Sequence, residues 1–185
     1  AAFGKWGLGG PGSEGAPNAQ GFDHFYGYLC QRVAHNYYPT HLWRNNERDT
    51  LTGNDHFRAH QRIAEPLASD GEYDERYRGE RYAPEEILKE AELWITRKGN
   101  ENAGPFFVYY ASVIPHVALQ APDEFVDMYP REWDSEPYLG DRGYLPNARP
   151  RATYAAMITY LDHAVGRLRA ALEKSGELDN TLILF

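Results

Sequence analysis

Apolar residues in the second half of the chain recur with two periods. Ile87, Leu88, Ala91, Trp94 and Ile95 step by three or four positions and predict a helix over about 84–98. Pro84 suits a first helical turn, Glu85 and Glu86 its positive start, Arg97 and Lys98 its end, and Gly99 a stop. A second helix is predicted over 152–174, with Tyr154, Met157, Ile158, Leu161, Val165, Leu168 and Leu172 as its buried face and Gly176 beyond its end. Between them "FFVYYAS", 106–112, is short, β-rich and apolar on both alternating faces, which predicts a buried central strand. "TLILF", 181–185, reads as another strand. Helix, strand, helix, strand is the repeat of an α/β domain with helices over a largely parallel sheet.

The first half has no such regularity. Residues 1–63 are rich in Gly, Asn, His and aromatics, which predicts a loop-rich surface over a scaffold, with room for short strands. In 65–82 charges of both signs crowd between few apolar residues, as in an exposed connection or a hairpin. One domain over 1–185 is therefore expected, with 1–82 as site region and 83–185 as αβαβ scaffold.

Charge and cysteine content narrow the function classes. A formal net charge of −8 argues against a nucleic-acid partner, which needs a basic stripe. The longest apolar run, 106–114, is about half the length of a membrane-spanning helix, so no membrane partner is expected. Cys30 is the only cysteine, which excludes an intrachain disulfide and paired-cysteine zinc sites. The chain opens on "AAF" without Met and stops inside an expected strand, so both ends read as interior to something longer.

Three stretches carry candidate chemistry. In "GKWGLGGPG", Gly7, Gly9 and Gly12 satisfy G-x-G-x-x-G, but Pro11 and a polar segment follow where a pyrophosphate site needs a helix start. Lys5 remains, either a solvated loop lysine or a cation held by Trp6 and aimed at an anion. His116 follows Pro115 just beyond the predicted central strand, where α/β sheets gather ligands; it is either a loop residue or a donor and general acid. In 27–45, Cys30, His35 and His41 make a poor zinc pattern. Arg32, His35, Asn36, Tyr37, Tyr38, His41 and Trp43 form either a packed aromatic loop or a polar and aromatic wall for a hydroxylated ligand. Asp162, His163 and Arg167 read as helix-surface charge pairing.

Taken in order and spacing, "GKWGLGG", "QGFDHFYGY", the strand ending in P-H-x-x-x-Q-x-P and the helix with L-D-x-x-V-G resemble the central part of sulfatases, in the alkaline-phosphatase-like superfamily. The resemblance covers nearly the whole chain. It implies a three-layer α/β/α fold, here incomplete, and sulfate-ester hydrolysis by a formylglycine beside a bound calcium ion. By matching, Lys5 and His116 contact the sulfate and the leaving oxygen. Arg32, His35, Asn36 and His41 become candidates for binding a sulfated carbohydrate. The resemblance alone points to a secreted or periplasmic setting.

Two departures accompany it. Gly7 stands where many sulfatases carry histidine. Cys30, in "LCQRVA", lacks the C/S-x-P/A-x-R surroundings of a residue that becomes formylglycine, so nucleophile and calcium ligands are expected outside this chain. The rival readings are a phosphoesterase of the same superfamily and a non-catalytic carbohydrate-binding module.

Overall fold

A computed structural model describes residues 1–55, 59–101 and 104–185. Its centre is a five-stranded sheet in the order β4-β3-β2-β1-β5. Strand β1 (Ala2–Lys5) runs parallel to both β2 (Phe25–Tyr28) and β5 (Tyr109–Ala111). β3 (His41–Arg44) and β4 (Glu47–Thr50) add on antiparallel as a hairpin. The hairpin turns at Asn45, whose φ of 55° suits asparagine and whose carboxamide oxygen takes the Phe25 N–H at 2.8 Å. Residues 1–82 thus supply four of the five strands, so much of the scaffold lies where a loop-rich cover was expected. Strands of four residues, two of them glycine-bearing, carry too little alternation to announce themselves.

Two glycines let the parallel ladders close. A Cβ on Gly4, at φ +109°, would lie 2.0 Å from the Ala111 carbonyl oxygen, and one on Gly27 would lie 2.0 Å from that of Gly4. The backbones therefore meet only where no side chain stands between them.

Helix α1 (Asp70–Tyr77) occupies the segment expected to be an exposed connection or hairpin. Ser69 caps it, its hydroxyl accepting the Glu72 N–H, while the Glu72 carboxylate accepts the Ala68 N–H at 3.3 Å. Tyr73 and Tyr77, four apart, bury against Ala118 and Leu145. Helix α2 (Ala83–Asn100) buries the expected Ile87, Leu88, Ala91, Trp94 and Ile95. It runs one residue past Gly99, and that glycine brings it against Ser175, whose Cβ lies 2.5 Å from where a Gly99 Cβ would be.

A four-residue helix, α3 (Asp123–Val126), precedes α4 (Pro150–Lys174). The buried side of α4 matches the expected face in part, with Met157 and Leu172 buried and Leu161 and Leu168 packed against the core. Ala152, Ala156, Tyr160, Ala164 and Ala171 are buried with Met157 and Leu172, whereas Tyr154 and Ile158 are 47% and 42% exposed. Alanines let α4 lie close on its neighbours, and Arg167 ties it to α2 through Glu85 at 2.8 Å and Glu92 at 2.7 Å.

Both C-terminal strand expectations need correction. β5 is a three-residue strand at the sheet edge, with Phe107 67% exposed, rather than a central strand over 106–112. Residues 181–185 pair with no strand among the described residues, and Leu182, Leu184 and Phe185 are exposed. Apolar, β-prone composition becomes a strand only where a neighbour supplies a ladder. Helix α2 packs on one sheet face through Phe3 and Trp94, with α4 behind it, and the other face carries Ala2, Phe25 and Leu29 beneath Trp6, Phe22 and Trp43.

Candidate active site

Because β1, β2 and β5 are parallel, their carboxyl ends open on one edge of the sheet. Lys5 closes β1, the loop with Arg32 and His35 leaves β2, and the loop with His116 leaves β5. Ligand sites of open α/β sheets form at such an edge.

The loop carrying His116 is clamped from several directions. The Gln120 carboxamide accepts the Tyr37 N–H at 2.8 Å and donates to the Tyr77 carbonyl at 2.6 Å. The Tyr82 hydroxyl donates to the Gln120 carbonyl at 3.0 Å. The Tyr37 hydroxyl lies within hydrogen-bonding reach of the Val113 and His116 carbonyls, and the His116 N–H donates to Val113 at 2.9 Å. Burial pushes the Tyr37 and Tyr82 hydroxyls far above ordinary phenol values, so both remain proton donors. The peptide bonds before Pro115 and Ala118 are cis.

On this platform the His116 ring stacks on that of His35, with centroids 4.8 Å apart and planes 6° from parallel. The Tyr144 ring meets both edge-on, at 5.5 Å from His35 and 5.8 Å from His116. His35 Nδ1 is 3.1 Å from His60 Nε2, and His60 Nδ1 contacts the Gly143 carbonyl. Burial first, then the positive neighbours His116, His60, Lys5 and Arg32, hold the His35 imidazole below its usual value. Lys5, Arg32 and His116 thus act on one imidazole.

The other wall residues divide. Arg32 and His41 line an adjoining cleft of about 630 Å³ with Gly7–Pro11, Cys30 and Trp43. Burial first and then Arg48 lower the His41 imidazole, and its ring meets Trp43 edge-on at 5.7 Å. Asn36 is instead 3% exposed, and its side-chain oxygen accepts the Tyr38 N–H at 2.9 Å. It braces the loop from inside rather than lining the cleft with Arg32 and His41. Trp6 does not hold Lys5 either. Its ring packs on Phe22 and Phe25, its indole donates to the Gly15 carbonyl at 2.7 Å, and among the described residues the cation–π pairs are Arg44 on Tyr26 and Lys98 on Trp94.

Sequence reasoning missed Tyr144 and His60. Both sit in irregular segments far from the rings they touch, and no spacing announces them.

Comparison with known proteins decides the family. The family model described as Sulfatase matches residues 1–185. The chain belongs to the sulfatase family. It is 36% identical over 101 residues to an arylsulfatase of Clostridium perfringens, a match taking in 44% of this chain and 21% of that protein. An arylsulfatase of Klebsiella aerogenes is 26% identical over 226 aligned positions, 98% of this chain and 42% of the relative. The chain thus spans less than half the length of these curated sulfatases. Among solved structures, Ps i-CgsB superposes with a TM-score of 0.64 at 25% identity, over 97% of this chain and 35% of that one. Its complex with k-i-k-neocarrahexaose gives 0.63 at 26%, over the same shares. These superpositions agree with an incomplete alkaline-phosphatase-like α/β fold.

Proposed function

We propose that this chain forms part of an enzyme that hydrolyses sulfate esters of carbohydrates, with Lys5 and His116 contacting the transferring sulfate. The family match over the whole chain supports the reaction class. The observation that carries the site is that Lys5, at the end of β1, and His116, in the loop after β5 and stacked on His35, lie 111 positions apart in sequence yet at the same carboxyl edge of the sheet.

Hydrolysis forms a bond from sulfur to an oxygen nucleophile that this chain does not supply, and as the S–O bond to the carbohydrate breaks its electron pair passes to the departing oxygen. The Lys5 ammonium offsets negative charge on the sulfate oxygens. His116 Nδ1 faces the Val117 carbonyl, which fixes the proton on that nitrogen and leaves Nε2 to carry a second one. That Nε2 proton goes to the departing oxygen, which leaves as an alcohol, and the imidazole becomes neutral.

Arg32 and His41 face the adjoining cleft, whose volume falls within the range of sites for small ligands, and we assign it to the sugar. The neocarrahexaose bound by Ps i-CgsB supports a carbohydrate in that role.

The described residues do not fit a calcium site. No group of three His, Cys, Asp or Glu side chains among them is arranged to hold a cation, and the side chains acting on His35 are imidazoles and cations. Calcium, like the formylglycine, is assigned to residues outside this chain, and no step is derived through either.

The test is sulfate release from sulfated oligosaccharides by the parent enzyme. Lys5→Ala and His116→Ala are each expected to lower turnover about a hundredfold or more. Full turnover in both variants would remove the assignment.

A further inference from the structure

The stacked ring beneath His116 is more than a wall. Its hydrogen bonds fix which nitrogens carry protons. The Gly143 carbonyl only accepts, so His60 Nδ1 bears hydrogen and Nε2 is the nitrogen left to accept. His35 Nδ1 therefore donates to His60 Nε2, and the basic nitrogen of His35 is Nε2. The Val117 carbonyl imposes the same choice on His116. Two imidazoles with the same tautomer lie nearly parallel at 4.8 Å, and both are left with Nε2 as the atom that takes or gives a proton.

At that separation a proton on one ring disfavours a proton on the other. The groups facing the pair from other segments are Lys5 on β1, Arg32 on the β2 loop, His60, the Tyr144 ring and the Tyr37 hydroxyl, with no carboxylate among the described residues that act on His35. The positive neighbours oppose a second proton further. Stacking rather than convergence also sets this cluster apart from a metal site, in which lone pairs would meet at a point.

We propose that His35 is a positioning residue for His116, the two stacked imidazoles forming one titrating unit that takes up no more than one proton, with His60 and Gly143 fixing its tautomer. The kinetic consequence rests on the sulfatase reading, in which the single proton is the one His116 delivers. The coupling itself does not depend on that reading.

The test is an NMR titration of the imidazole nitrogens in the substrate-free protein. Coupled sites share their macroscopic steps, so the wild-type His116 curve is expected to have two steps at the pH values where His35 also responds. In His35→Gln, whose amide can still donate to His60, His116 should titrate in one step, moved up by about half a pH unit or more. A one-step His116 curve in the wild type, or a two-step curve that survives His35→Gln, overturns the proposal. Should that variant fail to fold, the wild-type curves decide alone, because His35 and His116 steps at unrelated pH values overturn it equally. In the parent enzyme, His35→Gln should displace the pH profile of turnover while lowering its maximum less than about tenfold. If His116 plays no part in sulfate-ester cleavage, that profile will not move although the titration still shows coupling, so the two failures are distinct.

Discussion

The backbone N–H of Tyr37 ends on the carboxamide oxygen of Gln120, 2.8 Å away and 83 positions along the chain. This bond joins the loop after β2 to the loop after β5, and hence His35 to His116. Gln120 is 5% exposed, so water does not replace what it provides. Gln120→Leu would leave the Tyr37 N–H and the Tyr77 carbonyl unpaired in the interior. The expected loss is about 2–6 kcal/mol in urea unfolding, since each of the two stranded groups costs roughly 1–3 kcal/mol. A loss below about 0.5 kcal/mol would mean that the two loops hold each other by packing alone.

Gly4 is the tightest point of the sheet. Alanine there combines a φ of +109° with a Cβ 2.0 Å from the Ala111 carbonyl, which is backbone and has nowhere to go. Gly4→Ala should destabilise by about 3 kcal/mol or more and should weaken hydrogen-exchange protection at Tyr109 and Ala111 first. Gly12, also at positive φ but with open space around its Cβ, is the control, and Gly12→Ala should cost about 1 kcal/mol.

What the chain discloses before folding depends on whether the deciding interaction is local. Helix α2 is legible because Pro84, its terminal charges and its apolar stripe all lie within one segment. Helix α4 lies where its period places it, and Met157, Leu161, Leu168 and Leu172 of the expected face reach the core while Tyr154 and Ile158 do not. Large apolar residues carry the periodic signal, while four of the eight buried residues of α4 are alanines, whose smallness is what the packing uses. The capping residues Ser69 and Glu72 were local signals of α1, overlooked among charges of both signs. In the site, Lys5 stands out between glycine and tryptophan, His116 after Pro115 at the end of an expected strand, and His35 within a polar and aromatic stretch. The stack between two of them comes from parallel strand order, which no spacing encodes.

Acid should loosen the outer side of the sheet. Burial alone would raise the Glu90 carboxyl, but hydrogen bonds from His24 and Arg44 outweigh it and hold the group down at about 2, against an ordinary 4.5. Glu90 contacts His24 at 3.0 Å and the Arg44 guanidinium, linking α2 to β3 and to the start of β2. A carboxyl whose folded value is depressed stabilises fully above its unfolded value. That contribution is lost as pH falls from about 4.5 towards 2. The shift corresponds to on the order of 3 kcal/mol, and urea unfolding at pH 6, 4 and 3 should show stability declining over this window. Glu90→Gln should be less stable at pH 6 and should flatten the decline. An unchanged slope in that variant would place the acid sensitivity elsewhere.

Gly7 departs from the histidine expected in many sulfatases, and the structure gives the departure a physical form. Its φ is +87°, a conformation side chains rarely adopt, and the position a Cβ would take lies 2.4 Å from Gln31 Cγ. Gln31 therefore fills the space over Gly7 at the rim of the cleft that Arg32 and His41 line. Gly7→His must both strain the backbone and expel the Gln31 side chain. Only the second adjustment is cheap, since Gln31 is a flexible residue on an exposed loop. Gly7→His should thus cost about 1–2 kcal/mol in unfolding free energy. Gln31→Ala alone should be close to neutral, and the double variant should recover little, because the strain belongs to the backbone. Recovery of most of the loss in the double variant would instead show that the clash with Gln31 was the obstacle and that the backbone relaxes freely.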